Sequence, residues 1–151
     1  MFQRILLATD FSPCSELATE VAIQLTGKFN AALMLVHVWE LPVYAYPSAA
    51  FSVADLLTPV QQAAETQLKQ TLERLRERAP GAQAVLRNGL PSQEIIVLAE
   101  QQRTELLVLG THGRRGMSRL LLGSVAQRVV QLAPCPVLTI RSPAGKEEGR
   151  P

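Results

Sequence analysis

Short aliphatic runs alternate along this chain with longer segments whose apolar residues recur every three or four positions. The runs occupy residues 5–9, 32–38, 84–86, 106–109 and 137–140, each rich in Leu, Val, Ile or Ala and bounded by turn or polar residues. They are continuously apolar and do not alternate, which is the pattern of strands covered by helices on both faces of a parallel sheet. The run at 84–86 is the weakest and is assigned to an edge.

The segments between the runs predict helices. Ser12 caps the first, with Pro13 in its first turn and Glu16 near its positive end. Leu17, Val21 and Leu25 would form the buried face, and Gly27 would end the helix. The longest periodic segment spaces Val60, Ala64, Leu68, Leu72, Leu75 and Ala79 three or four apart, with Pro80 and Gly81 as its stop. Pro91 and Ser92 open a third helix carrying Ile95, Ile96, Leu98 and Ala99, and Ser124 opens a fourth carrying Val125, Val129 and Leu132.

The resulting order is β-α-β-α-β-α-β-α-β, the signature of a parallel sheet with right-handed crossovers. The fold class is α/β, a single doubly wound, Rossmann-like five-stranded parallel sheet in the order 3-2-1-4-5. Its winding reverses between strands one and four, so Thr9 and Asp10 face Gly110 and Thr111 across one crevice at the carboxyl ends of the strands.

Composition narrows the class. A chain of 151 residues, 47% hydrophobic and 19% charged, makes one aliphatic core. One domain is expected over residues 1–141, and the polar stretch 142–151 reads as a disordered tail. No apolar run spans a bilayer and no leader pattern opens the chain, so a cytoplasmic protein is expected. Fifteen basic against thirteen acidic residues give a formal charge of +2, too even for a nucleic-acid stripe or a membrane anchor. Cys14 and Cys135 lack metal-ligand spacing and fall at opposite ends of the sheet, so neither a disulfide nor a transition-metal site is expected. Residues 41–57, with Tyr44, Tyr46 and Phe51, have no clean period and leave strand two beside the crevice. They either fold over a ligand or pack as a surface loop.

The candidate chemistry lies after strand four. Gly110, Gly113, Gly116 and Gly123 punctuate a loop that leads into the fourth helix. Glycines let consecutive amides turn inward as an anion nest, and the helix amino terminus adds its dipole. No Gly-Lys-Ser/Thr follows, so this is not a P-loop, and a dinucleotide fingerprint would follow strand one. The spacing Gly110-x2-Gly113-x9-Gly123-Ser124 after the fourth of five strands, with Thr9 and Asp10 ending the first, resembles the ATP-binding subgroup of the universal stress protein family. The opening residues 5–12, the Val36-His37-Val38 end of strand two and the closing residues 134–138 match as well, so the resemblance spans residues 2–141.

That resemblance implies an adenine nucleotide alpha hydrolase-like fold and a site for ATP or another adenine nucleotide. It places Ala8, Thr9 and Asp10 by the adenosine and phosphates, the Val38 backbone against adenine, and Gly110, Gly113, Arg114, Gly123, Ser124 and Val125 around ribose and phosphates. Thr111, His112 and Gly116 join the candidate set as members of the same loop, although His112, like His37, also reads as a structural or loop residue. Asp10 facing a triphosphate needs a cation between them, so it either holds Mg²⁺ or serves as a turn residue ahead of the Ser12 cap. Ser124 either touches phosphate or caps its own helix. Arg114 is favoured over Arg115 and Arg119 as a phosphate partner. Strand five, Val137, Leu138, Thr139 and Ile140, would be an apolar edge, and both edge protection and the family resemblance imply a homodimer through it.

The leading functional expectation is therefore an ATP-responsive stress or signalling protein that binds a further protein partner. A slow ATP hydrolase and a dimeric interaction module without nucleotide are the alternatives. The loop offers no evident general base and no P-loop-type lysine, which disfavours the hydrolase.

Overall fold

The computed structural model describes residues 1–40, 53–111 and 122–142. In chain order the elements are β1 (Arg4–Ala8), α1 (Pro13–Phe29), β2 (Ala32–Trp39), α2 (Val53–Arg76), β3 (Gln83–Asn88), α3 (Pro91–Gln101), β4 (Leu106–Gly110), α4 (Ser124–Leu132) and β5 (Val137–Ile140). The five strands form one parallel sheet in the order β3-β2-β1-β4-β5, as the sequence pattern requires. Its registers, such as Leu7 beside Leu35 and Val108, bring the carboxyl ends of β1 and β4 together, while β2 runs on to Trp39 beyond its last β1 pair, Ala8 with Val36.

The strands divide their side chains between two cores. Ile5, Leu7, Leu33, Leu35, Leu106 and Val108 face α1 and α2, where Ala18, Ala22, Leu68 and Leu75 meet them. Leu6, Ala8, Val36, Leu107 and Leu109 point the other way, onto Ile95, Leu98, Ala126 and Val129 of α3 and α4. Alternation along each strand thus feeds two apolar layers, which is why residues 5–8 and 106–109 contain no polar residue. Among the described residues no helix is long and apolar enough to cross a membrane.

Four helical details differ from the sequence expectation. Helix α1 runs past Gly27 and ends at Asn30, whose φ of 51° adopts the left-handed cap while its N–H reaches the Thr26 carbonyl. The buried face of α1 is its small-residue stripe, Cys14, Ser15, Ala18, Thr19, Ala22 and Ile23, and Leu17 is exposed. Small side chains let the helix axis approach the sheet closely, a size criterion that hydrophobicity alone does not reveal. Helix α2 begins at Val53, upstream of Pro59, so residues 53–57 belong to it and not to a loop. Residues 41–52 lie outside the described residues. Leu132, expected on the buried face of α4, is 54% exposed because Ala126 and Val129 make that face.

Candidate functional site

A cavity of about 1040 Å³ opens at the carboxyl ends of the strands, at the winding reversal where the chain leaves the paired strands β1 and β4 for opposite faces of the sheet. Ala8, Thr9, Asp10, Val38, Gly110, Thr111, Gly123, Ser124 and Val125 all line it. These nine candidates, drawn from four separate elements, therefore share one opening. His112, Gly113, Arg114, Arg115, Gly116 and Arg119 lie outside the described residues. A smaller concavity of about 500 Å³ lies between α1 and α2, and Glu16, Glu73 and Glu77 in its lining disfavour an anion there.

The chain leaves β1 through a tight turn. Thr9 donates its N–H to the Val36 carbonyl, completing the last β1–β2 rung at 2.9 Å, and its hydroxyl then accepts the Phe11 N–H at 3.0 Å. Phe11 has a φ of 62°, an uncommon conformation for a bulky residue, held by the turn and by its ring lying 4.3 Å from that of His37. The His37 Nδ1 sits 2.8 Å from the Thr9 carbonyl oxygen, an acceptor, so this nitrogen carries a proton. His37 is thus structural, as one expectation had it, and it also forms part of the cavity wall.

Asp10 follows, with its carboxylate oxygen Oδ1 accepting the Ser12 N–H at 3.0 Å and the Ser15 hydroxyl. Burial alone would raise its pKa, but the hydrogen bonds from Ser12 and Ser15 to the ionised form outweigh that cost and hold it below the usual carboxylate value. A depressed folded-state pKa adds stability above the unfolded value, and the contribution disappears as pH falls through the folded one. The stability advantage of the wild type over Asp10→Asn is therefore expected to be level between about pH 5 and 7 and to shrink below about pH 4. Urea midpoints at stepped pH check this, and an advantage that grows on acidification contradicts it.

On β2, the direction of the backbone matters more than the side chain. The Val36 carbonyl turns toward β1, whereas the Trp39 carbonyl turns toward β3 and accepts the Gly89 N–H at 3.1 Å. Ladder groups alternate sides along a strand, so Val38, two residues beyond Val36, directs its N–H and C=O toward the β1 side, past the final β1 rung. Among the described residues no backbone group outside the ladders claims this pair, and a donor and acceptor on one residue at a cavity wall can read the edge of a flat heterocycle.

Gly110 ends β4 for a packing reason. A Cβ there would lie 3.0 Å from the Cys14 carbonyl carbon and 3.1 Å from its oxygen, so α1 can press onto β4 only because position 110 has no side chain. Its φ is not positive, and the expected anion-nest role is not what makes it glycine. Beside it, the Thr111 N–H continues the ladder to the Ile140 carbonyl at 2.8 Å.

Helix α4 supplies amides, though with a correction. Gly123 is its N-cap, and its N–H is spent on the Thr111 carbonyl at 2.7 Å, closing the intervening loop at its base. Gly123 therefore does not present its amide to a ligand, and Ser124, the first helical residue, does not cap the helix. The N–H groups of Ser124, Val125 and Ala126 precede the first intrahelical bond, from Gln127 to Gly123, and all three residues line the cavity. They form the positive end of the α4 dipole at the crevice.

Sequence reasoning missed Ser15, Trp39 and the α2 wall of Pro59, Val60, Ala63 and Gln67, which line the same cavity. Ser15 carried no motif. The α2 residues were invisible because helix α2 meets the crevice from Pro59 to Gln67, and a proline ordinarily marks a helix start and not a position inside one.

An open doubly wound α/β domain, with donors and an ionised carboxylate gathered at its winding reversal, belongs to the class of folds that hold small ligands at the carboxyl edge of the sheet. The universal stress protein family model matches residues 1–141. A universal stress protein of Methanocaldococcus jannaschii is 30% identical over 143 residues, covering 95% of this chain and 84% of that relative. The chain therefore belongs to the universal stress protein family. Among solved structures, the universal stress protein UspA from Lactobacillus plantarum superposes with a TM-score of 0.80 at 27% identity, covering 93% of this chain and 98% of that one. A universal stress protein in complex with cAMP has a TM-score of 0.70 at 23% identity, covering 92% and 97%. One from Archaeoglobus fulgidus in complex with dAMP has a TM-score of 0.61 at 22% identity, covering 92% and 98%.

Proposed function

We propose that this protein binds an adenine nucleotide, with ATP and Mg²⁺ as the preferred pair, in the crevice between β1 and β4, and that occupancy biases its association with a protein partner. The observation that carries this reading is the convergence in one cavity of the Val38 backbone pair, the first-turn amides of α4 and the Asp10 carboxylate. An adenine offers a matching donor and acceptor on one edge, and a phosphate matches the helix amino terminus. The family members in complex with cAMP and dAMP support the adenylate class of ligand.

The donor set also suits Mg²⁺. Among the described residues no three metal-ligating side chains cluster, and Asp10, held in its ionised form, shares the cavity lining with one further carboxylate, Glu40. Mg²⁺ is commonly held by one or two carboxylates together with ligand phosphates, and here it would neutralise phosphate charge beside Asp10. Thr9, Thr111 and Ser124 would orient the phosphates, and Gly113, Arg114 and the other loop candidates would complete their enclosure. Trp39, the only tryptophan in the chain, lines the cavity, so nucleotide titration is expected to change its fluorescence saturably. An unchanged emission at millimolar MgATP would oppose the reading.

The same proposal makes the protein a cytoplasmic homodimer of domain 1–141 through β5. That strand ends the sheet, its four residues are all partly exposed, and Val130 and Leu132 on neighbouring α4 are exposed as well. The Leu107 and Thr111 N–H groups bond to the Pro136 and Ile140 carbonyls, so by alternation the Thr139 N–H and C=O face outward. Thr139→Pro is expected to remove an edge donor without breaking the β4–β5 ladder, converting a dimer to a monomer of nearly unchanged melting temperature. Sedimentation velocity checks this. A dimer that survives the substitution would place the interface elsewhere.

A further inference from the structure

The first turn of α1 contains more hydrogen bonding than its cap requires. Ser12 alone satisfies the N-cap, since its hydroxyl accepts the Ser15 N–H at 3.3 Å. Ser15, at the third helical position, sends its own hydroxyl back to Asp10. That oxygen accepts the Asp10 backbone N–H at 3.2 Å and donates to the Asp10 carboxylate oxygen Oδ1. The Ser12 N–H donates to the same oxygen. Ser15 is only 4% exposed, yet it lies in the lining of the cavity.

The asymmetry of this arrangement has a chemical meaning. An ionised carboxylate has two oxygens with about four lone-pair sites. The Ser12 N–H and the Ser15 hydroxyl both converge on Oδ1, and the Ser12 side chain adds a further favourable interaction with the carboxylate. Ser15 holds Asp10 twice, through its backbone and through its carboxylate, so it fixes both the turn and the side-chain rotamer.

We propose that Ser15 is a positioning residue for the cation of the bound nucleotide: by holding Oδ1 it reserves Oδ2 of Asp10 for Mg²⁺. This rests on the nucleotide reading above. Mg²⁺ demands near-ideal coordination, and outer partners of a ligating carboxylate commonly set metal affinity by ten- to hundredfold.

Ser15→Ala is therefore expected to raise the half-saturating Mg²⁺ concentration for ATP binding about tenfold or more, while ATP affinity measured in EDTA stays at the wild-type value. Ser15→Thr, which keeps the hydroxyl, restores the Mg²⁺ midpoint, and Ser15→Cys, which keeps the volume but weakens the donor, falls between. A Ser15→Ala midpoint within about twofold of wild type overturns the proposal, since loss of an outer partner should exceed that. So does an equal loss of affinity with and without Mg²⁺, which would mark a purely structural role. A second arm needs no nucleotide: three-bond couplings of the Asp10 side chain should report one rotamer in the wild type and averaging in Ser15→Ala. An unchanged single rotamer in that variant overturns the proposal. Wild-type protein that binds no ATP at all would sink the nucleotide reading, while the couplings would still decide whether Ser15 holds Asp10.

Discussion

Gly110→Val is expected to melt about 10 °C below the wild type, a loss of about 3 kcal/mol for a chain of this size. The substitution places a branched side chain where even a single Cβ would stand 3.0 Å from the Cys14 carbonyl carbon. That neighbour is backbone in the first turn of α1, and it cannot rotate away. The helix would have to lift, and with it the Ser12 cap and the Cys14 thiol, which donates to the Ile140 carbonyl at 3.1 Å. Gly110→Ala, with one methyl, should cost about 1 to 2 kcal/mol. Thermal melts followed by circular dichroism read both. A Gly110→Val protein as stable as the wild type would mean that α1 is not seated on β4 as described.

Gly123→Val is expected to do the opposite: weaken nucleotide binding about 100-fold, equivalent to about 3 kcal/mol, while changing stability by no more than about 1 kcal/mol. The Gly123 backbone, at φ −59° and ψ 151°, is one that any residue adopts, so its conformation does not require glycine. Its position does, under the proposed function. It lines the cavity immediately before the Ser124, Val125 and Ala126 amides, and a β-branched side chain there would stand between those donors and a phosphate. Parallel binding and unfolding measurements on the one variant separate the two effects. Normal binding would remove α4 from the site, and a large loss of stability would make Gly123 structural. The two glycines share one motif and are assigned different work.

Much of this division could not be read from the sequence. The motif brought Thr9, Asp10, Gly110 and Gly123 to attention together, and all four line the same crevice. Why each residue is there depends on distances. The clash at Gly110 involves a residue of α1, and the loss of the Gly123 amide to the Thr111 carbonyl is a contact made across the loop. Strands were legible because a two-sided sheet tolerates only aliphatic residues over several positions, as at Leu106, Leu107, Val108 and Leu109. The buried face of α1 was not, because Ala18 and Ala22 are selected for smallness while the larger Leu17 is left outside. The end of α1 was misplaced for a similar reason: Gly27 signals a stop, but Asn30 also tolerates the left-handed conformation and makes the cap. His37 and Trp39 acquire their place in the site because β2 runs beyond its last pair with β1, which only the register fixes.

The most direct test of nucleotide binding is a calorimetric titration of nucleotide-stripped protein with ATP in the presence of Mg²⁺. Saturable binding is expected near one nucleotide per chain with a micromolar dissociation constant, about −8 kcal/mol. Absence of saturable heat at several temperatures would contradict it and leave the crevice without its proposed ligand.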